Sequence, residues 1–376
     1  MLSWRGPSHP NAGGAEVYTE RVLRFLVSGG HDVTWYSATH RGEMPSEADG
    51  IHFVYGGAGL GVYPTGHVWL RHQHAHYDVV VDQINVFGFA APMAMRGTPY
   101  VAFIHQLAGD VWDWECPPFV SAIGKRLERL GLRVYRDAAF ATVSESTMSD
   151  LRAIGWRGPG RIVAVGLDTP PARDKSEAPS IVFLGRFEAK AKRLDHALAV
   201  YRHVRAVVPE AEFWVIGRGP VPSWLPSGDG VRVYNNISDE QRDELLARAW
   251  CCVATSVREG WGRMVMESAA AGTPAVAYRV HGLRDTVLDG RTGVLVPPDP
   301  QRAADAVIGL FRDPERLRRY ASAARANAAT MTWASEGCAF EDLLLQASEH
   351  FRATNHGVHS ASLQPSDATP QARTHG

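Results

Sequence analysis

Two glutamates flank a glycine-rich stretch that leads from a predicted loop into a predicted helix. Glu259 and Glu267 lie eight positions apart within residues 256–274, SVREGWGRMVMESAAAGTP. Gly260 and Gly262 leave the loop backbone bare, so its amide groups can approach a ligand closely, and the N-terminus of the following helix would face a phosphate. The first carboxylate could then accept hydrogen bonds from sugar hydroxyls and the second from a ribose diol. Taken alone, such a pair is more often two incidental surface acids on a small-residue helix, so the surrounding motifs must decide.

Two cations follow a predicted strand at residues 180–185, SIVFLG. Arg186 comes directly after the strand, and Lys192 lies six positions further on, before a predicted helix. Cations at the carboxyl end of a strand in an open α/β sheet face the crevice where ligands bind. There they could hold a diphosphate, the arginine through its planar fork and the lysine as a point charge. The alternative is a solvated basic turn, which is our expectation for Lys190 and Arg193.

Three further segments place backbone or imidazole groups where a nucleotide sugar could reach them. Gly13 and Gly14 precede an amphipathic helical pattern, so their backbone could approach a phosphate at its N-terminus. They do not form the three-glycine dinucleotide fingerprint, which argues against a dehydrogenase. His105 ends the predicted strand YVAFIH, and Gly217 lies where WVIGRGP enters a turn. A tight turn, a packed loop histidine and an ordinary strand-to-helix connection remain the simpler alternatives.

The histidines between residues 67 and 76 invite a zinc hypothesis, which their spacing disfavours. Alternate positions on a predicted helix scatter side chains around its axis, and this applies to His72, His74 and His76, with His67 upstream. The chain also contains no Asp-x-Asp triplet, the usual carboxylate clamp for a metal-bridged nucleotide diphosphate. We therefore expect no metal site, and charge compensation by Arg, Lys and helix dipoles.

Composition restricts the partners and the compartment. The 376 residues include 39 Lys and Arg against 40 Asp and Glu, for a net charge of −1, which argues against a nucleic-acid partner. The four cysteines have no metal-ligand spacing, and Cys251 and Cys252 are adjacent, which favours a reducing compartment over a disulfide framework. No stretch has the length of a membrane span and no signal peptide is evident. We expect a soluble, cytoplasmic protein.

Short β-branched apolar runs alternate with amphipathic helical patterns along most of the chain, which predicts an α/β protein with parallel sheets covered on both faces. The length favours two domains, and the alternation restarts after a segment rich in proline and charge. The predicted organisation is an N-terminal α/β domain at 1–170, a linker at 171–180, a C-terminal α/β domain at 181–335, a helix at 336–354 that packs back on the first domain, and a disordered tail at 355–376. The resemblance described below implies that both domains are Rossmann-like and that the second binds the nucleotide sugar.

Residues 123–136, IGKRLERLGLRVYR, form a basic amphipathic pattern. Four apolar residues share one face, and five cations lie elsewhere. An ordinary surface helix is the commoner interpretation. Such a helix could instead rest peripherally on an anionic membrane, at the inner face if the protein is cytoplasmic, or hold an anionic acceptor.

Taken in order, six segments resemble the retaining family 4 glycosyltransferases, whose GT-B fold consists of two facing Rossmann-like domains. The resemblance extends to about residue 350. The segments that carry it are GGAE (13–16), TVSEST (142–147), VGLD (165–168), GRF with KRLD (185–187 and 192–195), VIGRGP (215–220) and EGWGRMVMESAAAGTP (259–274).

The resemblance implies transfer of a hexose, expected from a UDP- or GDP-sugar, with retention at the anomeric carbon and with no metal or cofactor. Arg186 and Lys192 would stabilise the departing diphosphate, Glu267 would bind the ribose and His105 would contact the sugar near C6. Glu259 would hold donor-sugar hydroxyls together with the amides that follow it. The donor-binding positions so implied are Gly13, Gly14, Gly217, Gly260, Trp261, Gly262, Arg263, Met264 and Glu267.

The chain departs from the family pattern at two places, and other functions remain open. Arg263 occupies a position that is usually apolar, where it could add a cation to the site or point away. Only Met1 and Leu2 represent the first strand, which relatives build from several apolar residues. A nucleotide-sugar epimerase on the same scaffold and a non-catalytic sugar-nucleotide-binding subunit are the alternative functions. The acceptor is open among small glycosides, lipids, antibiotic aglycones and polysaccharides.

Overall fold

The first lobe is built on a mostly parallel sheet in two parts. The computed structural model describes residues 1–73, 76–95 and 97–361. One part has the strand order β1-β3-β2 and the other β4-β5-β6-β7, and the short edge strand β2 alone pairs antiparallel among these described strands. The strands are β1 (Val33–Thr39), β2 (Glu47–Ala48), β3 (Ile51–Ala58), β4 (Val80–Ile84), β5 (Tyr100–Ile104), β6 (Ala139–Thr142) and β7 (Gly160–Ile162).

The first residues of the chain join these two parts. Leu2 forms parallel bridges to Tyr36 in β1 and to Asp82 in β4, so it occupies the place of a central strand. Its N–H donates to the carbonyl oxygen of Val81 over 2.8 Å, and the N–H of Gln83 donates to the Leu2 carbonyl over 2.9 Å. Leu2 is only 1% exposed. The first strand, which the sequence indicated to be short, is thus reduced to a single bridging position.

The described residues of the first lobe contain six α-helices before the linker. They are α1 (Gly14–Ser28), α2 (Val62–Gln73), α3 (Ala91–Ala94), α4 (Val111–Glu115), α5 (Pro118–Leu132) and α6 (Glu145–Ala153).

The second lobe contains a six-stranded parallel sheet with the order β10-β9-β8-β11-β12-β13. Its strands are near-continuous apolar runs because helices cover both faces. The order reverses between β8 and β11, so the ligand crevice of such a sheet opens at their carboxyl ends. The strands are β8 (Ser180–Arg186), β9 (Glu212–Arg218), β10 (Val231–Asn235), β11 (Cys251–Ala254), β12 (Ala275–Tyr278) and β13 (Gly293–Val296).

The helices of this lobe are α7 (Leu194–Val207), α8 (Asp239–Arg248), α9 (Arg263–Ala270), α10 (Leu283–Thr286), α11 (Pro300–Phe311) and α12 (Pro314–Ala328). All four cysteines of the chain are free thiols, and the adjacent pair lies buried in β11. The α/β class and the two parallel-sheet lobes predicted from the alternation are confirmed.

The last helix, α13 (Trp333–Ala361), returns to the first lobe and packs on α1. Gly337 lies against the ring of Phe25, and Phe340 is fully buried. The helix is longer than the predicted segment 336–354, and residues 355–361, expected in a disordered tail, are helical. Their composition favours disorder, but extending an existing helix needs no new nucleation. Residues 362–376 of that predicted tail lie outside the described residues.

The predicted linker has no regular secondary structure until its last residue, Ser180, which begins β8, and it is tied to the second lobe by Lys175. The Lys175 ammonium donates to the carbonyl oxygens of Ala247, Ala249 and Gly272 over 2.8–3.0 Å, and to the hydroxyl of Thr273 over 2.8 Å. A lysine within a run of proline and charge gives no sign of such a role. The linker is therefore anchored at its middle.

Replacing Lys175 by Met keeps the aliphatic stem and removes the donor of three carbonyl groups. We expect the free energy of unfolding to fall by about 2–4 kcal/mol, because buried polar groups that lose their partner still bear their desolvation cost. Urea unfolding followed by circular dichroism measures the change. Arg173→Met, at an exposed position of the same segment, is the matched control. Equal stability of the two variants would contradict the anchoring role.

Candidate active site

The crevice between the lobes is lined by the carboxyl ends of β8 and β11 and by the segments that follow them. Arg186 ends β8, and Lys192 ends a short 3-10 turn before α7. After β11 the chain forms an irregular loop up to Gly262, whose φ of 88° requires glycine, and then begins α9. The loop carrying Glu259 thus faces the turn carrying Lys192.

Lys192 and Glu259 form an ion pair at the centre of the crevice. The Lys192 ammonium donates to Glu259 Oε1 over 2.5 Å, and the Ser256 hydroxyl donates to the same oxygen over 2.6 Å. The Glu259 side chain is 15% exposed. Among the described residues no donor reaches its Oε2, so this oxygen can accept a hydrogen bond from a ligand. The role of Ser256 could not be inferred from its spacing.

Arg186 is exposed, and its guanidinium makes no ion pair or hydrogen bond within the described ranges. It faces Arg5 of the first lobe. Burial lowers the pKa of Arg5 most. The charge of Glu16 raises this pKa, and the charge of Arg186 lowers it. The Arg5 guanidinium lies 3.9 Å from the ring centre of Trp4, and its Nε is buried without a hydrogen-bond partner in the described structure. Two cations from opposite lobes therefore face each other, and sequence reasoning missed the one on the first lobe.

The N-terminus of α1 is partly occupied by a carboxylate of its own helix. The Gly13 N–H donates to Glu16 Oε2 over 2.7 Å. A methyl group at Gly14 would lie 3.5 Å from the Cδ of Arg263, which reaches across from the second lobe. The predicted approach of a phosphate to Gly13 would therefore compete with Glu16, whereas Gly14 lies next to a cation.

Arg263 points into the crevice. Its Nε donates to Glu267 Oε1 over 2.7 Å, one helical turn further along α9. The Glu267 side chain is 13% exposed and retains a second oxygen for a ligand. The sequence left open whether Arg263 adds a cation to the site or points away. In the structure its side chain lies beside Glu267 and Gly14, which favours the first possibility.

His105 follows the last residue of β5, with its ring packed against Tyr18 and Phe103 at centre distances of 5.3 and 4.7 Å. The side-chain nitrogen of Gln83 lies 2.8 Å from His105 Nε2. Burial lowers the pKa of His105 to about 4, so the ring is neutral at pH 7. A neutral imidazole can contact a sugar hydroxyl but does not supply a proton as an imidazolium at that pH.

The loop of the second lobe packs directly on the backbone at His105. A methyl group at Gly260 would lie 2.7 Å from the His105 carbonyl oxygen, so any side chain there would push the segments apart. The hydroxyl of Thr147 donates to the same oxygen over 3.2 Å. The loop that carries Glu259 therefore meets the backbone of His105, and the two come from different lobes.

Three predicted donor positions are packed within the protein. A methyl group at Gly217 would lie 2.6 Å from the carbonyl oxygen of Gly185, so this glycine permits β8 and β9 to approach. Met264 is buried, and its sulfur accepts a hydrogen bond from the N–H of Leu184 over 3.1 Å. Trp261 is buried in the apolar cluster that also contains residues of the first lobe. The role of these three positions in the structure is therefore packing.

Charged contacts that sequence reasoning missed hold the lobes together. Arg258 of the second lobe forms an ion pair with Asp150 of α6, and both side chains are largely buried. His281 Nε2 lies 3.3 Å from the other oxygen of Asp150. Arg284 Nε donates to the hydroxyl of Ser146 over 2.9 Å. No pattern in the sequence links residues this far apart.

Among the described residues, no group of three His, Cys, Asp or Glu side chains is placed to hold a metal ion. His74, one of the histidines considered above, lies outside the described residues. In the same part of the chain no helix has the length and apolar character needed to cross a membrane.

Two lobes, each with a largely parallel sheet, face each other across a crevice. Cations and carboxylates lie in it where the strand order of the second sheet reverses. This is the architecture of the GT-B fold, which many enzymes that use nucleotide sugars share. Residues 12–170 match the family model described as Glycosyltransferase Family 4, and residues 178–313 match the one described as Glycosyl transferases group 1. The chain belongs to the group 1, family 4 glycosyltransferases. It is a hexosyltransferase-type enzyme that uses a nucleotide-sugar donor.

The chain is similar to proteins that are named for different activities. It is 26% identical to D-inositol 3-phosphate glycosyltransferase 2 of Catenulispora acidiphila, covering 92% of this chain and 93% of that one. It is 29% identical to glycogen synthase of Mycobacterium tuberculosis, covering 86% and 88%. Its fold is similar to that of sucrose-phosphate synthase from Thermosynechococcus elongatus, with a TM-score of 0.73, 19% identity and coverage of 95% and 98%.

The neutral state of His105 predicts a pH dependence of stability. Its pKa is about 4 in the folded protein against an ordinary value of 6.5. Between these values the unfolded chain binds more protons, so the free energy of unfolding falls as pH falls from 6.5 towards 4. We expect His105→Gln to reduce the loss of stability between pH 7 and pH 5 by about 1–2 kcal/mol, measured by urea unfolding. His203→Gln, at an exposed position of α7, should leave that loss unchanged.

The Gly260 contact predicts an activity defect without a large loss of stability. In Gly260→Ala the methyl group would clash with the His105 carbonyl oxygen, and a misplacement of about 1 Å in a reaction centre can cost about 100-fold in rate. We expect donor-dependent nucleotide release to fall at least about tenfold. Gly309→Ala, where a methyl group would meet no atom within 4 Å, is the matched control. Full activity of Gly260→Ala would show that the contact does not position the site.

Proposed function

We propose that this protein is a retaining glycosyltransferase that moves a hexose from a UDP- or GDP-sugar to an acceptor hydroxyl without a metal ion. The observation that carries the proposal is the Lys192–Glu259 ion pair beside Arg186 at the reversal point of the second sheet. This pairing provides a cation for a leaving phosphate and a fixed carboxylate for a sugar in the same place.

The leaving diphosphate would be stabilised mainly by Arg186 and Lys192. Arg186 has no acidic partner among the described residues, so its charge is available to an anion. Lys192 has two N–H groups left after its bond to Glu259. Preorganised cations in a crevice lower the barrier because charge develops on the leaving oxygen in the transition state. Arg5, which faces Arg186, would add positive potential from the first lobe.

The nucleoside and the sugar would be held by the two glutamates. Arg263 fixes one oxygen of Glu267, which leaves the other for the ribose hydroxyls. Lys192 and Ser256 fix Oε1 of Glu259 in the same way and leave Oε2 for the transferred sugar. Each carboxylate thus has a cation that orients it, and an oriented acceptor costs little reorganisation when a ligand binds.

The site favours a front-face transfer. Glu259 is ion-paired, and His105 is neutral and packed between rings, so each suits a positioning role better than that of a nucleophile. In a front-face transfer the leaving phosphate takes the proton of the acceptor hydroxyl, which attacks from the same side. Catalysis then consists of leaving-group stabilisation and alignment in a closed crevice.

A panel of UDP-, GDP- and dTDP-sugars, incubated with an extract of acceptor compounds, tests the proposal through release of free nucleotide. We expect Arg186→Ala and Lys192→Ala each to lower kcat by about 100- to 1,000-fold, as for the loss of one transition-state donor. Lys190→Ala, an exposed cation of the same turn, should retain near-normal turnover. Mass spectrometry of the products identifies the donor and the acceptor.

Three outcomes would overturn the proposal. Turnover that survives both substitutions would exclude the proposed site. A new sugar nucleotide formed without acceptor, seen by NMR, would indicate an epimerase. Donor binding by calorimetry without turnover on any acceptor would indicate a binding subunit.

A further inference from the structure

Helix α5 packs on the first lobe through its small and polar residues. Its buried positions are Ser121, Gly124, Glu128 and Leu132. A methyl group at Gly124 would lie 2.7 Å from the ring of Trp112, so the absent side chain permits this close approach. Glu128 accepts hydrogen bonds from the N–H of residue 108 over 2.7 Å and from the Trp112 indole over 3.1 Å. These contacts determine which face of the helix points inward.

The apolar residues of the same helix consequently point outward. Phe119 is 76% exposed and Leu127 is 47% exposed. An ordinary surface helix turns its apolar stripe towards the core, whereas α5 turns these apolar residues outward. The cause is that Gly124 and Glu128 have specific partners inside the lobe. The outward ridge consists of Phe119, Val120, Ile123, Leu127 and Leu130, and continues to Val134.

Cations border this ridge along one side. They surround a groove of about 360 Å³ lined by Ala122, Lys125, Arg126, Arg129, Leu130 and Arg133. Lys125 is paired with Asp113 over 2.5 Å, whereas the three arginines of the groove form no ion pair in the described structure. The one acid between residues 118 and 136 is Glu128, which is buried. The surface therefore combines exposed apolar side chains with uncompensated positive charge.

We propose that this face of α5 docks the protein on an anionic membrane surface. The ridge would enter the boundary between headgroups and acyl chains while the arginines hold anionic headgroups, as in amphipathic helices that lie in the membrane plane. With 15 residues, the helix is too short to span a bilayer. A second copy of the chain fits less well, because a two-fold contact through this face would bring two sets of unpaired arginines together.

The docking face adjoins the crevice through α4. Glu115 Oε1 accepts a hydrogen bond from the N–H of Ala191, next to Lys192, over 3.0 Å. Trp114 lies under the guanidinium of Arg193 at 4.4 Å from its ring centre. Docking through α5 would therefore place the opening of the crevice close to the membrane. The proposal does not depend on the transfer reaction, because docking is measured without donor or acceptor.

Co-sedimentation with vesicles tests the proposal. The full chain is mixed with equimolar phosphatidylglycerol and phosphatidylcholine vesicles, and with phosphatidylcholine vesicles alone. We expect salt-sensitive binding to the first and none to the second. The triple variant Arg126→Gln, Arg129→Gln, Arg133→Gln should bind about 100-fold more weakly, since each cation near an anionic leaflet contributes about 1 kcal/mol. The double variant Ile123→Ser, Leu127→Ser should lose at least about tenfold.

A matched triple variant, Arg202→Gln, Arg312→Gln and Arg318→Gln, removes the same charge from exposed positions of the second lobe and should bind normally. Thermal unfolding of every variant confirms that it is folded. Absence of anionic selectivity, or equal weakening in the matched variant, would overturn the proposal. So would a dimer in light scattering that Leu127→Ser converts to a monomer, because a second copy would then be the occupant.

Discussion

The candidate site depends on a backbone contact between the lobes, where Gly260 of one packs on the His105 carbonyl of the other. Neither lobe contains a complete site. The second brings Glu259, Lys192 and Arg186, and the first brings the imidazole and the N-terminus of α1. A side chain at residue 260 would separate these groups, so the missing Cβ determines how closely they meet. This constraint explains why the loop before α9 is rich in glycine beyond its one left-handed position.

The charges of the crevice divide into two kinds. Glu259 and Glu267 each have a basic partner that fixes one oxygen, so the carboxylates are oriented and their charge is largely neutralised. Arg186 has no such partner in the described structure, and it faces the partly buried Arg5. The result is a crevice with oriented acceptors for hydroxyl groups and an excess of positive charge for phosphate.

The sequence allowed the fold to be predicted because strands and helices leave periodic patterns in a single chain. The site residues around the glycine loops were predicted from the order of motifs, because no single spacing indicated them. Three interactions were not predicted: the Arg258–Asp150 ion pair, the approach of Arg5 to Arg186 and the anchoring of Lys175 on the second lobe. Each joins residues that are far apart in the chain. The sequence also does not distinguish a charged side chain that has a partner from one that is solvated. Helix α5 shows a related limit. Periodicity reveals an apolar stripe, but the partners of Gly124 and Glu128 decide whether it faces inward.

The net charge of −1 is a total over the whole chain, so it does not show where the positive and negative charges lie. It argues against a chain that attracts polyanions over its whole surface. Within this neutral total, arginines that form no ion pair in the described structure lie in the crevice, as Arg186 does, and along α5, as Arg126, Arg129 and Arg133 do. The two regions differ in what surrounds the cations. In the crevice the neighbours are oriented carboxylates and a neutral imidazole, which suits a sugar diphosphate. On α5 the neighbours are exposed apolar side chains, which suits an anionic surface with an apolar interior. The neighbouring groups, more than the charges themselves, distinguish the two ligands.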